Sequence, residues 1–277
     1  MFPGVALVTG AASGIGQATA VSFARESCSQ IVIADRNVNG LNETHSRVQE
    51  AAPNCSVLSV QTDVSDQESV QALINKAVET FGRLDYVCNS AGTLSNNERS
   101  HETSLEEFDR INNINYKGCW LCSRAEIQQI LKQEPLPTHD GRPGNRGSVV
   151  NIASQLGIVG RPAARTYPSI SSLTLLAKEL KLTFSAAYCG SKAAVISMTR
   201  CDYSKDNIRV NCVCPGVIET PMTTPNMDVL GPAISIAPMN RPGTAQEVAD
   251  CVLFLCSSKA TFVQGSAMVV DGGYVIN

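Results

Sequence analysis

Short apolar runs alternate with longer stretches of helical spacing along the whole chain. The apolar runs occupy residues 5–8, 30–34, 56–60, 84–88, 148–153, 208–213 and 267–270. The stretches of helical spacing occupy residues 17–24, 37–52, 65–81, 104–132, 186–204 and 244–257. Continuous apolar runs of this kind are typical of strands buried on both faces, and their alternation with helices predicts a parallel sheet covered on both faces. We therefore expect an α/β protein.

Polar and proline-rich segments mark the ends of these elements. Ser65 begins a serine–x–x–glutamate pattern, which predicts a capped start for the helix at 65–81. Residues 133–147 are rich in Pro and Gly and are expected to form an exposed loop. Residues 221–242 contain several prolines, and we expect an irregular segment that covers a substrate. Because there is no internal repeat and no linker, residues 1–277 are predicted to form a single domain.

A glycine-rich turn lies between the first predicted strand and the first predicted helix. Such a turn lets the backbone come close to a diphosphate, and the first N–H groups of the helix point at it. The alternative is a turn that needs glycine only for packing. The second strand ends at Asp35, about 20 residues further on or slightly more, where a carboxylate can hydrogen-bond the ribose hydroxyls of an adenosine. The turn residues predicted to bind a dinucleotide are Gly10, Ser13, Gly14, Ile15 and Gly16.

The composition excludes several classes of protein. The chain has 277 residues, 43% of them hydrophobic and 17% charged, so it can bury a large core and disorder is not expected. A net charge of −3 gives no reason to expect nucleic acid or an acidic membrane surface as a partner. No apolar run reaches the ~18 residues of a membrane helix. No basic region followed by an apolar one precedes the first strand, and we expect a cytoplasmic protein.

The 11 cysteines are scattered through apolar segments, which is typical of small core residues in a reducing compartment. Cys119 and Cys122 form a C-x-x-C, but no second pair has ligand spacing, and the flanking apolar residues predict the inside of a helix. The three histidines, His45, His101 and His139, lie in polar stretches and are expected at the surface. We therefore predict no metal site.

Tyr188 and Lys192 are four residues apart in a predicted helix, so they share one face. A free tyrosine has a pKa of about 10 and is a poor base at neutral pH. A nearby ammonium favours the phenolate and is expected to lower that pKa by roughly 1–3 units. Ser154 follows a predicted strand and could donate a hydrogen bond to a substrate oxygen. The three residues form a candidate acid/base site, because ligands of parallel sheets bind at the carboxyl ends of the strands.

With these motifs, the chain resembles the short-chain dehydrogenase/reductase family over nearly its whole length. The matching residues are 9–10, 14–16, 63–64, 89–92, 115, 154, 188–192, 208–211, 215–216, 220 and 271–273. The resemblance implies a Rossmann-type doubly wound parallel sheet and hydride transfer between a nicotinamide cofactor and an alcohol or carbonyl group. It also implies a small-molecule alcohol or ketone as substrate and a homodimer or homotetramer. Substrate specificity is then expected from residues 94–100 and 221–242.

The family's functional residues carry over by matched position. Tyr188 would donate or accept the proton, Lys192 would also hold the nicotinamide ribose, and Ser154 would position the substrate oxygen. Asn115 would anchor a water in a proton relay, with hydrogen bonding inside its helix as the alternative. The other matched residues would contact the cofactor: Asp63 and Val64 at the adenine, Asn89, Ala91 and Gly92 along the cleft, Pro215 and Gly216 beyond it, and Ile218 and Thr220 at the carboxamide.

Two neighbouring residues bear on the choice of cofactor. The charge of Asp35 repels a 2′-phosphate and its oxygens accept the 2′-hydroxyl, which favours NAD(H). Arg36 beside it could instead favour NADP(H), stack on adenine or remain solvated. We predict NAD(H) and keep NADP(H) as the alternative.

The chain departs from the family pattern between the serine and the tyrosine. The usual spacing after Ser154 falls on Tyr167, which Pro168 follows and which lacks the lysine. Tyr188 has the lysine but lies 34 residues after Ser154, and removal of residues 165–185 would restore the usual spacing. We therefore predict Tyr188 as the acid/base residue and an insertion at 165–185. One hypothesis makes this insertion a helix over the active-site mouth or at a partner subunit, and the other makes it an intron translated by an incorrect gene model.

A second departure concerns the end of the helix that carries Tyr188. Residues 201–205 form a shorter segment than the corresponding part of the family pattern. In the family, the helix that carries the tyrosine usually helps to form the subunit interface. The two departures support an alternative function, a nucleotide-binding protein without turnover in which the insertion keeps Ser154 from Tyr188. A dehydratase or epimerase is a further alternative, since one fold hosts several reactions.

Overall fold

The structure is a computed structural model that describes residues 2–96, 98, 100–138, 140–159, 186–200 and 203–276. The insertion predicted at 165–185, including Tyr167, lies outside the described residues. His139 and the first two residues of the segment 201–205 also lie outside them. Ser154, before the predicted insertion, and Tyr188, after it, are both among the described residues.

A parallel sheet forms the centre of the described chain. Its strands are β1 (Val5–Thr9), β2 (Gln30–Asp35), β3 (Ser56–Gln61), β4 (Tyr86–Asn89), β5 (Gly147–Ile152), β6 (Ile208–Pro215) and β9 (Ala267–Val270). They lie in the order β3–β2–β1–β4–β5–β6–β9, and all their pairings are parallel. The order reverses between β1 and β4, so the predicted doubly wound sheet is confirmed.

Helices cover both faces of this sheet. They are α1 (Gly14–Arg25), α2 (Val38–Ala51), α3 (Gln67–Phe81), α4 (Leu105–Asn112), α5 (Cys119–Ile130), α6 (Ala186–Thr199), α7 (Met227–Ile236) and α8 (Ala245–Cys256). The side chains of β1 alternate between the two layers. Ala6 and Val8 pack in the core with α1, α2 and α8, whereas Val5 and Leu7 pack with α3 and α5. Burying one residue such as Leu7 contributes about 1.5–3 kcal/mol, so the continuous apolar runs stabilise both layers.

The helical stretch predicted at 104–132 is interrupted. A π-helical segment, Asn113–Gly118, lies between α4 and α5, and it contains Asn115. Cys119 and Cys122 are buried inside α5, as the apolar residues around them predicted. The helix predicted to run to 204 ends at Thr199. A π-helical turn widens the helix locally and is frequent at functional sites.

The capped start predicted for the helix at 65–81 is confirmed. The cap of α3 is Asp66, whose carboxylate accepts from the N–H groups of Glu68 and Ser69. Ser65 lies one residue before the cap, and its N–H and its hydroxyl both donate to Asp63.

The segment 221–242, predicted to be irregular, contains α7, with Pro232 inside the helix. A proline removes one helical hydrogen bond, but tertiary packing can offset that loss. Here Ala233 and Ala237 are buried against Tyr274, with Ile236 beside them. A short two-stranded sheet of β7 (Ile218–Glu219) and β8 (Gly243–Thr244) joins the two ends of the segment. The segment is therefore an ordered element.

Candidate active site

One cavity of about 590 Å³ lies at the carboxyl ends of the parallel strands. Its lining residues follow β1, β2, β3, β4, β5 and β6, so the topology brings these six strand ends together. We call the part lined by Gly10, Gly14, Asp35, Asp63 and Ala91 the glycine-turn half. We call the part lined by Ser154, Tyr188, Leu94, Leu156, Met222 and Leu230 the tyrosine half.

The glycine turn forms the floor of the first half. Gly10 and Gly14 have positive φ angles of 68° and 55°, a conformation that side chains rarely adopt. A Cβ on Gly10 would lie 2.6 Å from the backbone nitrogen of Ala91, so only glycine allows this close approach to the end of β4. Ser13 precedes α1 without a side-chain cap, and the first N–H groups of a helix have no partner inside it.

Four of the five turn residues line the cavity, and Gly16 does not. A Cβ on Gly16 would lie 2.2 Å from the carbonyl oxygen of Gly10, so this glycine allows α1 to pack on the turn. At this position the packing supports the alternative of glycine for packing, and cofactor binding by Gly16 stays a prediction.

Asp35 and Arg36 both line the glycine-turn half. The Asp35 carboxylate accepts from the backbone N–H of Ala12 at 3.1 Å and from that of Asn37 at 2.9 Å. These two bonds hold the carboxylate at the cavity wall. The Arg36 side chain is exposed beside it. Asp35, which favours NAD(H), and Arg36, which could favour NADP(H), thus both lie at the same wall of the cavity.

Asp63 and Val64 follow β3 and line the same half. The Asp63 carboxylate accepts from the hydroxyl of Ser65 at 2.6 Å and from its N–H at 2.9 Å. These hydrogen bonds lower the pKa of Asp63, because they favour its ionised form. Val64 is buried against the π-helical segment, where a Cβ on Gly118 would lie 3.0 Å from its side chain.

Asn89 does not line the cavity, although the family resemblance placed it along the cleft. Its side chain is buried on the inner side of the sheet, where its amide donates to Glu126 at 2.9 Å and to Asn151 at 3.1 Å. The Thr9 hydroxyl donates to the side-chain oxygen of Asn89. The residues beyond the end of β4, Ser90, Ala91 and Gly92, line the cavity instead.

Ser154, Tyr188 and Lys192 meet in the tyrosine half. The side chain of Ser154 lies close enough to Tyr188 to lower the pKa of the phenol, although 34 residues separate the two in the sequence. The hypothesis that the insertion keeps these two groups apart is therefore wrong. The Lys192 ammonium lies 6.0 Å from the centre of the Tyr188 ring and donates to the carbonyl oxygen of Ile152 at 2.9 Å.

The pKa of Tyr188 is raised to about 12, and burial is the main cause because it disfavours the phenolate. The hydrogen bond from Ser154 opposes this shift. The prediction that the neighbouring lysine lowers the pKa of Tyr188 is therefore wrong for this arrangement. Lys192 is itself buried, which lowers its own pKa, and its ammonium is engaged by the Ile152 carbonyl.

Asn115 is 1% exposed and is held by hydrogen bonds, and it does not line the cavity itself. Its amide donates to the carbonyl oxygen of Thr93 at 3.0 Å and to the Ser191 hydroxyl at 3.2 Å. Gly92 separates it from the lysine, since a Cβ there would lie 3.4 Å from the Asn115 oxygen and 3.5 Å from the Lys192 nitrogen. The structure therefore places Asn115 and Lys192 on either side of one cavity-lining glycine.

The residues after β6 complete the wall. Pro215, Gly216, Ile218 and Thr220 all line the cavity, as their matched positions predicted. A Cβ on Gly14 would lie 3.2 Å from the Thr220 side chain, so the two halves of the cavity approach each other here. The N–H of Thr220 also donates to the Thr223 hydroxyl at 3.1 Å, within the turn that follows.

Sequence reasoning missed individual residues of the tyrosine half. The expected specificity segments, 94–100 and 221–242, do contribute Leu94, Ser95, Met222 and Leu230 to the lining. Arg110 and Leu156 also line it, and no motif singled them out. The π-helical segment changes the helical register between Arg110 and Asn115. The predicted position of Asn115 therefore could not show, through a regular helical period, that Arg110 faces the cavity.

Comparisons with known proteins agree with this geometry. The family model described as short chain dehydrogenase matches residues 4–172, and one described as Enoyl-(Acyl carrier protein) reductase matches residues 159–275. The chain is 35% identical to 2-(R)-hydroxypropyl-CoM dehydrogenase of Xanthobacter autotrophicus, over 98% of each chain. It is also 35% identical to the short-chain dehydrogenase srdC of Neurospora crassa, over 98% of this chain and 96% of that one.

A solved structure, that of levodione reductase, superposes with a TM-score of 0.84 at 30% identity and covers 100% of this chain and 99% of that one. The chain belongs to the short-chain dehydrogenase/reductase family. It is accordingly an oxidoreductase of a family that acts on alcohol and carbonyl groups with a nicotinamide cofactor. No helix in the described ranges is long and apolar enough to span a membrane.

The residues of the glycine-turn half fit such a cofactor. The cradle at Gly10 would be filled by a Cβ, and the helix start beside it carries N–H groups suited to a diphosphate. The Asp35 carboxylate at the far wall suits a ribose, and about 590 Å³ lies within the range of ligand sites. In the described part of the chain, no group of three or more metal-ligating side chains is suited to hold an ion.

Proposed function

We propose that the protein interconverts a secondary alcohol and a ketone with NAD(H), and that Tyr188 transfers the proton. The placement of the Ser154 and Tyr188 side chains together at the wall of the cavity carries this proposal. When bound, the nicotinamide supplies or accepts the hydride. A nucleotide-binding protein without turnover would not need these two groups in contact.

Each polar group of the tyrosine half then has a role. The raised pKa keeps Tyr188 protonated at neutral pH, which suits donation of its proton to a carbonyl oxygen. Ser154 holds the same oxygen through its hydroxyl. Lys192 faces the cavity with its ammonium and holds the nicotinamide ribose. Asn115, beyond Gly92, anchors a water that returns a proton toward Lys192 and Tyr188.

NAD(H) is the proposed cofactor, with NADP(H) as the alternative. Two backbone N–H groups hold the Asp35 carboxylate at the cavity wall, where its charge would oppose a 2′-phosphate. Asp35, Asp63 and Val64 would contact the adenosine part, whereas Ile218 and Thr220 would contact the carboxamide. Arg36 is exposed at the rim, where it could stack on the adenine or pair with a phosphate.

Turnover assays test this proposal. We would measure NADH and NADPH oxidation with a panel of ketones, and reduction of NAD and NADP with secondary alcohols, alongside thermal-shift titrations. A ligand at 100 times its Kd adds about 2.7 kcal/mol of stability, which is readily seen as a rise in Tm. Turnover with NADH and a ketone is the expected result. A rise in Tm with NADH, but no turnover across the panel, would support the nucleotide-binding alternative.

We also propose a homodimer or homotetramer in the cytoplasm. Four large apolar side chains are exposed along α4, the π-helical segment and α5, namely Leu105, Phe108, Tyr116 and Trp120. Exposed apolar side chains of this size are typical of a protein interface. The described cysteines are free thiols, which suits a reducing compartment. Light scattering of the purified protein would test the assembly, and fractionation of cells would test the location.

A further inference from the structure

Arg110 on α4 contacts the segment that follows β4 and borders the tyrosine half. Its Nη1 donates to the hydroxyl of Thr93 at 3.0 Å, and its Nη2 donates to the carbonyl oxygen of Leu94 at 2.9 Å. Thr93, Leu94 and Ser95 all line the cavity. The guanidinium thus reaches from the helix surface to the wall of the site.

Glu107, one turn earlier on the same helix, completes the contact. Its carboxylate accepts from Nε of Arg110 at 2.6 Å and from Nη2 at 2.9 Å, and it also accepts from the N–H of Asn96 at 3.0 Å. The hydrogen bond from Arg110 lowers the pKa of Glu107, so the pair is ionised at neutral pH. Together the two side chains fix residues 93, 94 and 96.

Thr93 is held from its other side by Asn115. The Asn115 carbonyl oxygen accepts from the N–H of Thr93 at 2.8 Å, and its amide donates to the Thr93 carbonyl oxygen at 3.0 Å. Asn115 therefore fixes the Thr93 backbone, whereas Arg110 fixes its side chain. The two ends of one helical region hold the same residue, and this region also carries the proposed water-binding group.

The hydrogen-bonding groups of Arg110 are almost fully used within the protein. Nε has one N–H and donates it to Glu107, Nη2 donates to Glu107 and Leu94, and Nη1 donates to Thr93. A guanidinium has five N–H groups, so one remains, and its charge is matched by the Glu107 carboxylate. Arg110 is thus suited to hold a wall in place and poorly suited to bind an anionic substrate.

We propose that Arg110, with Glu107, is a positioning residue that fixes Leu94 and Ser95 as the substrate-side wall of the tyrosine half. This inference rests on the proposed function, because it assigns these residues to a bound alcohol or ketone. Arg110 contacts neither cofactor nor substrate in this role. Substitution of Arg110 leaves the proton-transfer groups in place but allows Leu94 to occupy a wider range of positions.

Steady-state kinetics of Arg110→Met in the full chain test the proposal. The ketone KM is expected to rise about tenfold, whereas kcat and the Kd of NADH are expected to stay within about twofold of wild type. This pattern is expected because the variant loses binding that the ketone and its transition state share equally. Arg110→Lys keeps a charge that can reach one of the partners, so an intermediate KM is expected. The control is Arg47→Met, which breaks an exposed pair with Glu43 at 2.6 Å on a helix outside the cavity lining.

Hydrogen exchange of the same variants tests whether Arg110 fixes residues 93–96, independently of the proposed activity. Exchange of the amides of residues 93–96 is expected to accelerate in Arg110→Met and to stay unchanged in Arg47→Met, because local opening becomes easier. Unchanged exchange in Arg110→Met would overturn the inference, and so would faster exchange with an unchanged KM. Absence of turnover in wild type would instead overturn the proposed function and, with it, the substrate-side role, while the exchange result would still decide the placement.

Discussion

The two halves of the cavity are built in different ways. In the glycine-turn half, consecutive residues at strand ends supply the wall, and much of it is backbone: the turn at Gly10, the end of β2 at Asp35 and the end of β4 at Ala91. In the tyrosine half, side chains from β5, α6, the segment after β4 and the 221–242 segment meet. The first half is encoded locally, whereas the second half depends on how distant elements pack.

The largest effect on cofactor binding is expected at Gly10. Gly10→Ala places a Cβ 2.6 Å from the backbone nitrogen of Ala91 at a φ of 68°, so the turn and the end of β4 cannot both keep their places. NADH affinity is expected to fall about 100-fold, or about 2.7 kcal/mol, as measured by fluorescence titration. Gly141→Ala is the control, since Gly141 has a φ of 74° but no atom within 4 Å of the new Cβ. Equal losses in both variants would contradict this explanation.

Glu126 tests the polar network beneath the two halves. Its carboxyl is buried, accepts from Asn89 and has one oxygen without a hydrogen-bond partner among the described residues. Burial raises its pKa from 4.5 to about 8. The unfolded chain then binds fewer protons between these two values, so the free energy of unfolding should fall as pH rises through that window.

The measurement is urea unfolding across that window. Wild type is expected to lose about 5 kcal/mol between the ordinary and the raised pKa, whereas Glu126→Gln keeps the bond from Asn89 and flattens this dependence. Glu43→Gln, an exposed residue, serves as the control. A wild-type profile that matches that of Glu126→Gln would show that the buried carboxyl does not govern the dependence.

Asp35 tests the assignment of the glycine-turn half to an adenosine ribose. Asp35→Asn removes the charge and keeps one acceptor oxygen, so it retains one of the two hydrogen bonds that the N–H groups of Ala12 and Asn37 donate to Asp35. The ratio of NADPH to NADH affinity is expected to rise about tenfold, or about 1.4 kcal/mol. Asp109→Asn, on the exposed side of α4, should leave the ratio unchanged. A ratio that does not respond to Asp35→Asn would shift the cofactor assignment toward Arg36.

The smallest effect is expected at Met222 in the tyrosine half. Met222→Ala removes apolar surface from the cavity wall, so the ketone KM should rise about fivefold, or about 1 kcal/mol, without a change in the Kd of NADH. The matched control is Met239→Ala, since Met239 is 65% exposed and does not line the cavity. An altered Kd of NADH in Met222→Ala would contradict the division of the cavity into two halves.

The contrast between the halves explains how much of the molecule the sequence could predict. The strands and the glycine turn depend on spacing within a few residues, and the structure confirms them, as it confirms the doubly wound order that the family resemblance implied. Asn89 was assigned to the cleft by its motif, but its side chain donates to Glu126 and Asn151. A motif thus identifies a strand end more surely than it identifies which side chain faces the ligand.

Longer-range packing accounts for the other differences. The π-helical segment shifts the helical register between Arg110 and Asn115, so a period of 3.6 residues cannot relate their faces. The prolines of 221–242 indicated an irregular segment, but burial of Ala233 and Ala237 against Tyr274 supports a helix. The pKa of Tyr188 depends on its burial and on the contact that Lys192 makes with Ile152, and neither can be read from a spacing of four residues.

The central claim is that Tyr188 transfers the proton, although the usual family spacing falls on Tyr167. The most direct measurement compares kcat/KM for ketone reduction by NADH in Tyr188→Phe and Tyr167→Phe, with NADH binding measured in both. We expect Tyr188→Phe to lose about 1,000-fold, as removal of an acid/base group does, and Tyr167→Phe to stay within about threefold of wild type. The reverse result, with activity retained in Tyr188→Phe and lost in Tyr167→Phe, would contradict the account.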